Sequence, residues 1–158
     1  MTIKRFLVAT VAAVAAAILP AVAATTATAD ARQWSEGPLT WADFQGVAAQ
    51  PGTPSCASFE LTTSASAQSA GGGKSRYSIA ALALMHRNAS FADQRQTTPQ
   101  RLRYHQLQFD LLEVMRRRLQ QDINTGISGI ETERRLKEYR ATFDRRLAEI
   151  DEATEIKL

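Results

Sequence analysis

The chain of 158 residues sets 19 Lys and Arg against 16 Asp and Glu, a formal balance of +3. So small an excess gives little long-range attraction for a phosphate backbone, which argues against a nucleic-acid partner. Cys56 is the only cysteine, so no disulfide can close within the chain. It reads as a buried or half-buried small apolar residue, because no His and Asn partner pattern accompanies it.

Lys4 and Arg5 precede an apolar run from Phe6 to Ala23. A charged start followed by such a run is what export machinery reads, and Ala21-Val22-Ala23 supplies the small residues of a cleavage site. Residues 1–23 are therefore predicted to be a signal peptide and 24–33 a flexible leader, with Ala27-Thr28-Ala29 as a later cleavage site. An uncleaved anchor is the alternative, against which Pro20 and the alanine-rich, weakly hydrophobic run argue. The mature protein is then periplasmic or secreted, with no membrane partner, and its positive count falls to 17 once Lys4 and Arg5 leave. Residues 34–158 are enough for one domain and too few for two.

Gly37-Pro38 marks a turn, and Leu39 to Phe44 then alternates apolar with polar, which predicts a short strand or extended segment with Leu39 and Trp41 on one side. A loop follows over 46–54. Cys56–Gln68 reads as a strand, Ser69–Lys74 as a flexible hairpin connection, and Arg76–Met85 as an interior strand with apolar residues on both faces near its end. Residues 86–98 are polar and read as a loop. Thr98-Pro99 then offers a capping oxygen and a proline at the first helical position, starting a helix that runs to about Ile123 and closes at Asn124-Thr125-Gly126. Leu102, His105, Phe109, Leu112, Leu119 and Ile123 form its stripe, widened by Leu107, Leu111, Val114 and Met115 into an arc that implies packing on more than one side. Ser128 with Glu131 is a capping box for a second helix, whose stripe is Leu136, Tyr139, Phe143, Leu147 and Ile150. Strands followed by helices predict an α+β domain: a small antiparallel sheet of about three to four strands packed on an antiparallel pair of long helices.

Two segments carry more than periodicity. Leu39-Thr40-Trp41-Ala42-Asp43-Phe44-Gln45-Gly46 resembles the Leu-x-Trp-x-Asp-Phe-x-Gly of a bacterial secreted zinc-dependent protease-like family, itself classed as a domain of unknown function. Tyr104 to Glu113 is similar to that family's helix, His-Glu-Gln-x-His-Phe-Asp-x-x-Glu. In a His-Glu-x-x-His helix, residues four apart stand above one another, so both imidazoles face one zinc ion and the glutamate can deprotonate its water. The resemblance puts Tyr104 at the first ligand position, His105 at that of the base and Gln108 at the second ligand, with Ile156 replacing a further histidine. None of these is the residue the chemistry needs, whereas Phe109, Asp110 and Glu113 are kept.

No catalytic, cofactor or metal residue is therefore predicted. The resemblance implies a degenerate cleft formed by Trp41, Asp43, Tyr104, His105, Gln108, Asp110 and Glu113. Tyr104 and Gln108 are expected to bond to one another or line that cleft, and His105 to be a packed or hydrogen-bonded helix residue. Asp43 either caps the turn before Gly46 or reaches the helix of Tyr104, and Glu113 forms a surface ion pair with Arg117. Trp34 and Trp41 are expected to pack in or at the edge of the core. The leading expectation is a catalytically inactive exported protein that binds a peptide or protein partner. A zinc peptidase with rearranged ligands, centred on His86 and His105, and an unrelated exported structural module are the alternatives.

Overall fold

The structure, a computed structural model, describes residues 30–48 and 52–154. The predicted signal peptide, both cleavage sites and Ile156 lie outside the described residues. Strands β1 (Ala31–Gln33), β2 (Ser55–Cys56), β3 (Phe59–Ser69), β4 (Ser75–His86) and β5 (Phe91–Ala92) precede helices α1 (Pro99–Asn124) and α2 (Gly129–Thr154). β1, β4 and β3 form one antiparallel sheet in that order, with β4 central as its apolar faces predicted, and β2 pairs with β5 in a separate two-stranded ladder. The α+β arrangement of a small antiparallel sheet against two helices is thus as expected.

Register decides which residues enter the core. Leu61 faces Ala83 and Phe59 faces Met85, so the odd-numbered residues of β3 and β4 share one face. Leu61, Ala81, Ala83 and Met85 are buried there against Phe109, Leu112, Met115 and Leu119 of α1, and the rings of Phe59 and Phe109 stack 5.2 Å apart. α1 begins where Thr98 accepts a hydrogen bond from the Arg101 N–H, with Pro99 at its first position. It ends at Asn124, and the chain turns away at Gly126, whose φ of 83° suits glycine. Ser128 Oγ accepts from the Glu131 N–H at the start of α2. Tyr139 on Asp122 and Tyr104 on Asp151 tie the two helices together in antiparallel order.

Five local expectations are corrected. Trp41–Asp43 is a single turn of 3-10 helix rather than a strand, because Asp43 accepts from both the N–H and the hydroxyl of Thr40 and closes the chain on itself. Ordered structure begins before Trp34: Ala31–Gln33, read as leader, pair with Leu84–His86. The stretch after His86 is not all loop, since Phe91–Ala92 pair with Ser55–Cys56. In that ladder Ser55 points inward, which leaves its neighbour Cys56 exposed rather than buried. The outer apolar arc of α1 is also less covered than its width implied, Leu107 and Val114 being 47% and 44% exposed.

Candidate functional site

The two segments that carry the family resemblance meet in space. Phe44 lies 5.1 Å and Trp41 6.3 Å, centroid to centroid, from the ring of His105. Leu39 and Phe44 belong to the core, and Gln106 accepts the Leu39 N–H at 2.7 Å. Gly46 closes the segment: its N–H donates to the Ser90 carbonyl at 2.7 Å, and a Cβ there would stand 2.4 Å from the carbonyl oxygen of Asn88. Only a residue without a side chain can approach so closely.

Asp43 is buried between Arg32, Thr40 and Arg87. It pairs directly with Arg32, whose other guanidinium nitrogen donates to the carbonyls of Gly37 and Pro38. Arg87 Nε stands 3.4 Å from the other carboxylate oxygen, within ion-pair range, although the angle does not make it a hydrogen bond. Burial pushes the Asp43 carboxyl up, but the hydrogen bonds from Thr40 and Arg32 and the Arg32 charge outweigh it and hold the carboxyl below its ordinary value. Of the two roles expected for Asp43, the turn cap is the one formed. Its partners lie on β1, the turn and the segment after β4 rather than on α1.

His105 is the centre of a polar clasp within the apolar interior. Its Nε2 is 2.9 Å from Ser55 Oγ and its Nδ1 is 3.0 Å from Gln108 Oε1. Because an amide oxygen only accepts, Nδ1 carries the proton and Nε2 accepts from the serine hydroxyl. Burial lowers the pKa of His105, with the Gln108 hydrogen bond opposing, so the ring is held neutral. Hydroxyl, imidazole and acceptor in a row is the order of a nucleophilic triad. Here Ser55 and His105 are each 1% exposed, so no substrate carbonyl can reach the hydroxyl and the row serves as internal hydrogen bonding. The sequence reading found His105 but not Ser55, which sits in a ladder it did not predict.

The remaining motif positions divide between interior and surface. Tyr104 and Gln108 are buried and do not bond to one another as expected: the Tyr104 hydroxyl donates to Asp151 and Gln108 bonds to His105. Glu113 is also buried, not a surface group. Burial raises its pKa, but bidentate Arg116 and a bond from Arg117 together hold it below the ordinary value. Asp110 Oδ1 accepts from Trp34 Nε1 at 2.8 Å and from Gln106 Nε2 at 2.7 Å. Trp34, packed against the core, also lies under the Arg117 guanidinium at 5.2 Å.

Two hollows flank Trp34 and Ser35. One, of about 390 Å³, is lined by Gly37, Pro38, Gln106 and Asp110. The other, of about 280 Å³, is lined by Gln33, Ala81, Leu82, Ala83, Glu113 and Arg116. The degenerate cleft is therefore not one surface. Half-buried Asp110 lines one hollow and Glu113 forms part of the wall of the other, but Glu113 is buried like Asp43, Tyr104, His105 and Gln108, and Trp41 packs on His105 and Phe44.

Zinc, which the resembled family would carry, does not suit this donor set. Tyr104 donates to Asp151, and both ring nitrogens of His105 are engaged by Ser55 and Gln108. His86 has a separate set of partners, Glu60 at 2.8 Å and Asp30 at 3.9 Å. Among the described residues no three His, Cys, Asp or Glu side chains come together in a metal-holding group, and zinc ordinarily takes at least three protein ligands. Comparison of the chain with protein-family models, with curated proteins and with solved structures finds no match.

Proposed function

We propose that this chain is an exported, non-catalytic protein that holds a peptide or protein partner in the two hollows beside Trp34. The observation that carries the reading is the split of the motif: the positions that would perform hydrolysis are occupied by internally bonded residues, while half-buried Asp110 lines the hollow beside Gly37 and Pro38. An indole with apolar and amide neighbours and a carboxylate at the rim matches the usual make-up of a ligand groove, largely apolar with a few placed polar groups. Export is supported by Lys4-Arg5 and the apolar run that follows.

Ser35 tests it, because it is exposed and lines both hollows, so Ser35→Trp sets a bulky ring at the wall they share. Peptides selected from a random displayed library on the purified chain should bind Ser35→Trp at least about ten-fold more weakly, a loss of about 1.4 kcal/mol. Equal affinity for both proteins would overturn the reading. A second reading, an exported structural module unrelated to the resembled family, draws on the burial of Tyr104 and Gln108 and on the partners Asp43 has away from α1. It predicts that the same selection yields no Ser35-dependent peptide.

A further inference from the structure

β3 lies at the edge of its sheet, and among the described residues only its first part is covered there. The carbonyl of Leu61 points outward and accepts from Arg140 of α2 at 2.8 Å. In an antiparallel strand the backbone groups alternate sides, and the β3 register runs unbroken from Phe59 to Ser69. The N–H and C=O of Thr63, Ala65, Ala67 and Ser69 therefore point outward as well, and from Ala65 onward the strand is exposed. Sheet edges are normally protected by charge, proline, a bulge or shortness. Leu61 to Ser69 contains no charged residue and no proline, and the regular register leaves no room for a bulge.

The hairpin also carries an apolar face that is open among the described residues. Ala65 and Ala67 share it with Ile79 and Tyr77, which stand opposite them on β4, and Tyr77 is 75% exposed. The other edge of the hairpin is a poorer candidate. β1 occupies β4 at Leu84–His86, and the Gln120 side chain accepts from the Ala81 N–H at 2.8 Å and donates to the Ile79 carbonyl at 3.4 Å.

We infer that the outer edge of β3 pairs antiparallel with β3 of a second copy of this chain, about a twofold axis at Ser66, joining two three-stranded sheets into one. The second copy is the occupant because the edge is its own complement. An axis at Ser66 sets Ala65 opposite Ala67 and Thr63 opposite Ser69, each with its outward groups aligned for a hydrogen-bonded pair, and Ser66 opposite itself. Every facing residue is neutral and all but Gln68 are small, so no like charges meet across the axis. The alanines leave room for Tyr77 of each copy to lean over the joint toward Ile79 of the other, which brings the two uncovered apolar faces together.

Sedimentation velocity of the purified chain, with register-specific cross-linking, tests this. In a Cys56→Ser background, Ser66→Cys puts two thiols at a facing non-hydrogen-bonded position, where Cβ atoms stand closest. Ser64→Cys faces Gln68 of the other copy instead. The pairing predicts a dimer, and a covalent dimer from Ser66→Cys that forms at least about ten-fold faster than from Ser64→Cys. Ala65→Pro removes an outward N–H while leaving the β4 ladder intact, and Ala67→Lys adds a charge at the joint; both should give monomers with unchanged circular dichroism. A monomer for the parent chain, or equal cross-linking at the two positions, would overturn the inference.

Discussion

The hydroxyl of Ser55 sits 2.9 Å from Nε2 of His105, joining a two-residue strand to the second turn of α1 in the buried interior. That contact explains why a lone histidine persists on an apolar helix face: both of its nitrogens have partners supplied by the fold, and a buried polar group is stable only when satisfied. Removing it should leave Ser55 and Gln108 unsatisfied as well as a cavity. His105→Ala is expected to cost about 2–4 kcal/mol in urea denaturation, without change in the slope of the transition.

The same residue sets a pH dependence. Its folded pKa is below the ordinary 6.5, so as pH falls the unfolded chain takes up the proton first. Stability is therefore complete above the unfolded value, rises with pH across the window beneath it and is lost on acidification toward the folded value. Thermal melts from neutral to mildly acidic pH should show this decline, and His105→Gln should flatten it. The carboxyls of Asp43 and Glu113, both held below their ordinary values, add a further loss that begins as pH falls to those ordinary values and continues toward the lower folded ones.

Gly46→Ala forces a Cβ into the Asn88 and Ser90 carbonyls. A loss of about 1–3 kcal/mol is expected, as for overpacking in a rigid site. At Gly129 nothing stands within 4 Å of a Cβ, so Gly129→Ala should be neutral or raise the melting temperature slightly. Differential scanning calorimetry of the two variants distinguishes them.

Asp43→Ala breaks a pair whose side chains are each 8% exposed and strands the Arg32 guanidinium. An uncompensated buried charge costs about 3–5 kcal/mol. By contrast, the Arg146–Glu149 pair is more than half exposed on both sides, and Glu149→Gln should change stability by no more than about 0.5 kcal/mol. Urea unfolding of both variants gives the comparison.

Gln120→Ala should expose the free edge of β4. The Ala81 amide then loses its acceptor on α1, and its hydrogen exchange should accelerate relative to Ala83, which lies deeper along the strand. Stability should fall by about 1 kcal/mol, the net worth of such a bond.

Periodicity made both helices and the long hairpin legible, because their apolar stripes face one core and their ends carry Thr98-Pro99, the three glycines at 71–73 and Gly126. What it missed depends on partners distant in sequence. The apolar and polar alternation from Leu39 to Phe44 imitates a strand, yet Asp43 bonding to Thr40 and Arg32 makes it a turn. β1 was invisible because its inward residue is Arg32, whose burial makes sense only with Asp43 beside it. Tyr104, His105 and Gln108 could be chosen from spacing, but their inward packing could not, since Asp151 and Ser55 lie 47 and 50 residues away. Composition alone points Trp34 to packing, and its place between two hollows emerges only once the turn after β1 folds against α1.

The most direct test is the metal content of the chain purified without added metal. With Ser55 and Gln108 holding both nitrogens of His105, elemental analysis should find zinc far below one ion per chain, unchanged in His105→Ala and His86→Ala. One zinc per chain that disappears with either substitution would contradict the account and return the protein to the peptidases.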